Sequence, residues 1–316
     1  MKSGKKIIIV DNSAWSIFNF HLSVIKKLTA VGYQVTIAAP VDEYISKINK
    51  SYYKKYVPLK HLNPQGQSLL SELLLVKELY LLYKEEKPDL IIHYTIKPNI
   101  FGNIAARLAG KRTISVITGL GYTFLNDGLI NRMIRKIYRW ALKKTEKLIV
   151  LNKDDFRVFT QNKSFPPEKT LIFPGTGINT NFFRPLPNPR KDDKFVFLFI
   201  GRLLYDKGVR ELIEAAKQVR QICKKSEIWI VGDLNPGNPS AVSKKQFLKW
   251  TESKIIRYFG TTKEIRKFIK YADAVVLPSY REGVPRSVME GMAMEKPIIW
   301  IAGGTDKGND YGPLMQ

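Results

Sequence analysis

The chain has 316 residues, 44% hydrophobic and 25% charged, a balance that excludes a disordered chain and leaves apolar material for two cores. Lys and Arg number 52 against 28 Asp and Glu, a formal charge of +24, which implies a partner rich in negative charge: phosphates on nucleic acid, on anionic lipid or on a small substrate. The single Cys223 excludes an internal disulfide framework, and neither a signal peptide nor a bilayer-spanning apolar run is present, so a cytoplasmic protein is expected.

Short β-branched runs alternate with amphipathic segments from the start. Strands are expected at 5–11 (KKIIIVD), 34–40, 89–94 (DLIIHY), 112–118, 147–152 and 169–175, with helices at 17–30, 68–86, 99–109 and 129–144. Strands apolar on both faces and separated by helices point to a parallel sheet covered on both sides. The stretch GTGINTNFFRPLPNPRKDDKF (175–195) is rich in turn residues and has no periodicity, and its part 181–194 reads as a linker. Alternation then restarts, with strands at 195–201, 227–233, 255–260, 274–279 and 297–302 and helices at 209–222, 243–253, 262–272 and 285–295. The expected architecture is α/β: two doubly wound, Rossmann-like domains, 1–180 and 195–316, facing a cleft where the ends of parallel strands bind ligands.

Two stretches of the second half carry chemistry. In LPSYREGVPRSVMEGMA (277–293), Glu282 follows a strand, Gly283 permits a tight turn and Pro285 suits the first position of a helix that carries Glu290. Such a helix start presents N–H groups and a positive dipole end to an anion, and a carboxylate one turn in can accept hydrogen bonds from a vicinal diol such as a ribose. The Glu–Glu spacing alone means little, because Glu78 and Glu86 share it in a plain helix; the strand, turn and helix around it supply the specificity. In IGRLLYDKGVRELIEAA (200–216), Arg202 lies just past a strand and Lys207 just before a helix, so two cations converge where a departing diphosphate would sit. Solvated basic residues are the plain alternative.

These segments, with IVGDLNPGNPSAVSKKQF and IRYFGTT, resemble the nucleotide-sugar half of a retaining, GT-B-fold glycosyltransferase of family 4. HYTIKPNIFGNIAARLAG, ITGLGYTF and GINTNFFRP resemble the acceptor half of a bacterial subgroup that builds surface polysaccharide on a polyprenyl diphosphate carrier, including galactosaminyl- and galactosyltransferases. The resemblance covers nearly all of residues 5–299. It implies that Arg202 and Lys207 hold the donor diphosphate, Glu290 the ribose of UDP and Glu282 the donor sugar. Backbone N–H groups of Gly283 and Val284 would reach the phosphate or sugar, and Tyr258, Phe259 and Gly260 would line the uracil site. It also implies retention without a protein nucleophile and without a metal; no D-x-D pair is present.

In the acceptor half, Asn12 and Ser13 follow the first strand where many relatives carry a glycine-rich turn, and the absence of G-x-G-x-x-G there counts against a dehydrogenase. His93, Lys97 and Asn99 are expected near the acceptor or its phosphates, and Gly119 in TGLG would let backbone come close; a locally bonded core histidine is the plain alternative for His93. His21 and His61 have no evident role. In NRMIRKIYRWALKKTEKLIV (131–150), Arg132, Arg135, Lys136, Arg139 and Lys143 form one helical stripe opposite Met133, Ile134, Ile137, Trp140 and Ala141, a pattern suited either to an anionic membrane surface or to a core-packed helix. The helix 131–147 is expected to hold the chain peripherally at the inner face of the plasma membrane, where a lipid-linked acceptor is presented.

A UDP-sugar epimerase on the same architecture is a second reading, since fold does not fix chemistry. A nucleic-acid-binding protein is a third, but no nucleic-acid module or aromatic-basic interleaving supports it. After KPII the stretch WIAGGTDKGNDYGPLMQ departs from the family's pattern. A truncated or frame-shifted second domain, poorly stable and weakly active, is therefore the expectation for the end of the chain.

Overall fold

A computed structural model describes residues 4–63, 68–118, 129–161, 165–173, 175, 177–234, 238, 240–280, 282 and 284–301, with only the backbone of 129–131. The chain forms two compact units, 1–176 and 177–316.

The first unit is a parallel sheet of seven strands: β1 Lys6–Val10, β2 Gln34–Ala39, β3 Lys55–Pro58, β4 Leu90–Tyr94, β5 Thr113–Ile117, β6 Lys147–Val150 and β7 Thr170–Ile172. Their order is β3-β2-β1-β4-β5-β6-β7, with Ile9 central between Ile37 of β2 and Ile92 of β4. Helical run α1 consists of Ala14–Ser16, a π-helical turn Ile17–His21 and Leu22–Ala30. The helix α2 spans Leu69–Glu86, and α3 consists of a π turn Pro98–Gly102 followed by Asn103–Leu108. Helices α4 Leu129–Leu142 and α5 Lys153–Thr160 follow. Alternation along β1 divides the core. Ile7 and Ile9 pack with Ile17 and Ile25 of α1, whereas Ile8 and Val10 pack with Leu75, Leu79 and Ala105 of α2 and α3. Burying these two apolar faces is the main stabilising contribution to the unit.

The second unit has strands β8 Phe195–Ile200, β9 Ser226–Val231, β10 Ile256–Tyr258, β11 Ala274–Leu277 and β12 Ile298–Trp300, in the order β10-β9-β8-β11-β12. Its helices are α6 Val209–Ile222, α7 Lys244–Glu252, α8 Ile265–Tyr271 and α9 Arg286–Ala293. One sheet face packs Phe199, Ile230 and Val276 against α6 and α7; the other packs Val196, Leu198 and Val231 against α8. The stretch expected to be a linker belongs to this unit. Phe183 is buried in its core, and the Arg190 guanidinium bonds the Tyr271 carbonyl at 2.9 Å and the Asp273 carboxylate at 3.0 Å.

Two elements were not foreseen from sequence, the edge strand β3 and the short helix α5. The expectations for Gly119, Gly283 and the end of the chain after Ile301 lie outside the described residues. Among the described residues, no helix is long and apolar enough to cross a membrane.

Candidate functional site

In each sheet the strand order reverses at one point, between β1 and β4 in the first unit and between β8 and β11 in the second. Crevices beyond the carboxyl ends of strands at such points are the ligand sites of open α/β sheets.

In the second unit, β8 leads into Gly201 and Arg202, and the Arg202 side chain is exposed there. The chain then makes the 3-10 turn Tyr205–Lys207 and enters α6 through Gly208. Gly208 has φ +69°, and a Cβ there would lie 1.7 Å from the Pro278 carbonyl oxygen, so only glycine lets the turn rest against the end of β11. Two further bonds hold it. The Asp206 carbonyl accepts from the Tyr280 N–H at 3.1 Å and from the Ser279 hydroxyl at 3.3 Å. This brings together residues 75 positions apart: Lys207 Nζ donates to Glu282 Oε1 at 2.6 Å, with both side chains largely buried.

Helix α9 starts one residue later than the sequence suggests. Pro285 is its N-cap, so no side-chain oxygen occupies the first N–H groups. Val284 and Pro285 lead into it, and Glu290 sits one turn further in, buried. Arg286 Nε donates to Glu290 Oε1 at 2.7 Å. Burial raises the Glu290 carboxyl pKa, and the Arg286 guanidinium opposes that rise. The structure thus gathers Lys207, Glu282, Val284 and Glu290 about the turn between β11 and α9, while Arg202 follows β8, the strand paired to β11.

The segment Tyr258–Gly260 leaves the end of β10, on the far side of β9. Several of its polar groups are committed to the sheet. Phe259 N donates to the Ile230 carbonyl at 3.0 Å, the Gly260 carbonyl accepts from Gly232 N at 2.9 Å, and the Tyr258 hydroxyl donates to the Gly232 carbonyl at 2.8 Å. Burial, then the neighbouring Asp233 carboxylate, raises the Tyr258 pKa.

In the first unit Asn12 and Ser13 are half-buried at the end of β1. The Ser13 hydroxyl caps α1 by accepting from Ser16 N at 3.0 Å. Behind them lies a buried cluster that sequence reasoning missed. The Asp11 carboxylate, fully enclosed, accepts from Asn12 N at 2.6 Å and from the Ser16 hydroxyl at 2.8 Å, and His21 Nε2 lies 3.2 Å away. The His21 ring stacks on Tyr94 with centroids 3.7 Å apart. Burial and the Asp11 charge raise the Tyr94 pKa. The signal was an aspartate directly after IIIV; the π turn that brings His21 back onto it leaves no mark in the sequence. Across the crevice, Thr95 follows β4 with φ +67°, a conformation costly for a β-branched residue and one that concentrates at functional sites.

Two expectations near β4 are corrected. His93 does not face an acceptor: it is fully buried, its Nε2 is 2.9 Å from the Tyr83 hydroxyl, and a Cβ on Gly102 would lie only 2.5 Å from it. Its side chain points into the helical layer, and burial pushes its pKa down to about 3, opposed by its interaction with the Asn103 side chain. Asn99 is likewise a core residue, donating to the Val116 carbonyl at 2.9 Å. Lys97 is mostly buried and ion-paired with Glu72 of α2.

The basic helix α4 also differs from its expected division. Tyr138, Ala141 and Leu142 are buried, but Met133, Ile137 and Trp140 are 56%, 39% and 46% exposed. The apolar side is therefore split, and three large apolar residues share the solvent face with Lys136 and Lys143. The Arg107 guanidinium lies 4.5 Å from the Trp140 ring.

Solved structures share this fold. HepE of Anabaena, determined with UDP and glucose, aligns with a TM-score of 0.73 at 19% identity over 98% of this chain and 84% of its own. WaaG, a glycosyltransferase involved in lipopolysaccharide biosynthesis, aligns with a TM-score of 0.64 at 16% identity over 94% and 82%. Two parallel α/β units of this kind define the GT-B class of glycosyltransferases. Residues 6–152 match the family described as "Glycosyl transferase 4-like", and residues 184–306 match "Glycosyl transferases group 1". Together these two matches span most of the chain, so both units are similar to glycosyltransferases. It is similar to the N,N'-diacetylbacillosaminyl-diphospho-undecaprenol alpha-1,3-N-acetylgalactosaminyltransferase of Campylobacter jejuni, at 28% identity over 93% of this chain and 80% of that protein. It is also similar to the UDP-Gal:alpha-D-GlcNAc-diphosphoundecaprenol alpha-1,3-galactosyltransferase of Escherichia coli, at 29% identity over 83% and 68%.

Proposed function

We propose that the chain transfers a hexose or N-acetylhexosamine from a UDP-sugar to a polyprenyl-diphosphate-linked acceptor in surface-glycan assembly, with retention of anomeric configuration. The observation that carries this reading is the Lys207–Glu282 pair at the reversal point of the second sheet, with Glu290 buried in the helix that follows Glu282. The acceptor class is supported by the activities named for the Campylobacter and Escherichia relatives.

In this reading Arg202 and Lys207 take the diphosphate, and the uncapped start of α9, with the N–H groups of Gly283 and Val284, adds further positive potential. Glu290 accepts from the ribose hydroxyls and Glu282 from the donor sugar, while Tyr258–Gly260 line the uracil. The bond between the anomeric carbon and the phosphate oxygen breaks, that oxygen leaving with UDP, as the acceptor oxygen bonds the same face of that carbon. The acceptor proton passes to the leaving phosphate oxygen, so no protein nucleophile is required. The two cations and the helix start meet the leaving charge in place of a metal. Asn12, Ser13 and Lys97 lie on the acceptor side, with the Asp11–His21 cluster fixing the turn behind Asn12. The solvent face of α4, apolar and basic together, suits the interface of an anionic membrane.

The test is transfer from a panel of UDP-sugars to lipid-linked acceptors, comparing wild type with Lys207→Ala and Glu290→Ala. Each substitution is expected to lower kcat/KM roughly a hundredfold, and EDTA to leave transfer unchanged. Undiminished transfer by both variants would refute the site.

A further inference from the structure

Glu290 is a carboxylate placed where its charge is expensive. It is buried, and the two strands beneath α9 present only apolar side chains, Ala274–Leu277 of β11 and Ile298–Trp300 of β12. Ahead of α9, Glu282 bonds Lys207 of the turn that leads into α6. Glu295 and Lys296 follow the helix; the Lys296 ammonium donates to the Lys270 carbonyl at 3.0 Å, pointing toward α8. Among the described residues, the cation bonded to Glu290 is Arg286 of its own helix, at 2.7 Å with the i,i+4 spacing and a side chain that is only 29% exposed. An exposed pair at this spacing would contribute little; here one partner is enclosed, and an uncompensated carboxylate would take up a proton instead.

We infer that Arg286 is a positioning residue of the donor site: its guanidinium orients the Glu290 carboxylate and holds it ionised, so that both oxygens remain acceptors for the ribose diol. The inference rests on the assignment of Glu290 to the ribose given above. Arg286 acts through Glu290 and is not required to touch the donor. A protonated Glu290 would keep a donor O–H where the diol needs an acceptor, so the loss of Arg286 appears first at low pH. Burial raises the Glu290 pKa and the guanidinium opposes the rise, so removing Arg286 moves it further in the same direction.

The experiment is calorimetric binding of UDP to the full chain, without acceptor, at pH 6, 7, 8 and 9. Wild type, Arg286→Gln, Arg286→Lys and Glu290→Gln are compared, with thermal unfolding as a check on folding. Each affinity is read as a ratio to wild type at the same pH, which cancels the titration of the ligand's own phosphate. Arg286→Gln is expected to bind roughly tenfold more weakly at pH 6 and to approach wild type by pH 9. Arg286→Lys, which keeps the charge, should show a smaller loss with little pH dependence, and this variant carries the test if Arg286→Gln does not fold. Glu290→Gln should be weak at every pH. Wild-type affinity in Arg286→Gln, or a loss equal at all four pH values, would overturn the inference, the latter because it marks a direct contact with the ligand. Failure of wild type itself to bind UDP would overturn the donor-site reading, and the inference with it.

Discussion

Burial holds the His93 imidazole at a pKa of about 3, against 6.5 for a free histidine. In the unfolded chain the same ring protonates near its ordinary value, so between these limits the unfolded state binds a proton that the native state refuses. The stabilising contribution is complete above pH 6.5 and is lost as pH falls toward 3, by about 1.4 kcal/mol for each unit well below 6.5. Urea unfolding at pH 7, 6 and 5 should show it as a difference. His93→Asn is less stable than wild type at pH 7, because it leaves a cavity and strands the Tyr83 hydroxyl, but the gap should narrow on acidification. A gap that stays constant would mean that the native ring accepts protons freely. The buried Asp11 at the end of β1 differs in kind, since its oxygens hold the Asn12 N–H and the Ser16 hydroxyl and so shape a turn rather than a core.

At the level of elements, the strands were legible because each is a short β-branched run bounded by turn residues, as in KIIIV and AVVL. The strand β3 was not: KYVP is four residues long, ends in proline and lies at the sheet edge, where burial leaves little pattern. Helix boundaries were legible to within a few residues. The π turns at Ile17–His21 and Pro98–Gly102 were not, because one extra residue per turn alters which side chain faces inward without altering composition. That is why the pairing of His21 with Asp11 went unseen, whereas the Arg286–Glu290 pair could have been read from its i,i+4 spacing. In the second unit, the strand before Glu282 and the helix after it were readable locally, but the bond to Lys207 depends on the approach of Gly208 to Pro278, a tertiary fact. Helix α4 shows the same limit, for its apolar residues were evident while their division between core and solvent was not. Met133→Asp with Trp140→Asp should therefore reduce sedimentation with anionic phosphatidylserine vesicles at least tenfold, while UDP affinity stays unchanged. Full retention on the vesicles would assign that face to something other than lipid.

At the scale of the molecule, the buried apolar clusters among the described residues keep to one unit or the other, three in the first and two in the second. Denaturant unfolding is accordingly expected in two steps rather than one. Trp15 and Trp140 report the first unit, and Trp229, Trp250 and Trp300 the second. Saturating UDP should shift only the second-unit transition, by about 2.7 kcal/mol at a hundredfold excess over Kd. A single transition moved as a whole by UDP would show that the units unfold as one. The formal charge of +24 also makes any association with anionic surfaces weaken as salt rises.

The ion pair between Lys207 and Glu282 has a bearing on selectivity among phosphates. A lysine already occupied by its own carboxylate is a poor trap for inorganic phosphate, because capturing that ion would separate the pair and leave Glu282 enclosed without a counter-charge. A molecule that brings an anion for the lysine and a hydroxyl for the glutamate replaces both ends of the broken bond at once. In the proposed donor site, the resting pair would act as a competitor built into the chain, discriminating against half-ligands and admitting those that carry phosphate and sugar together.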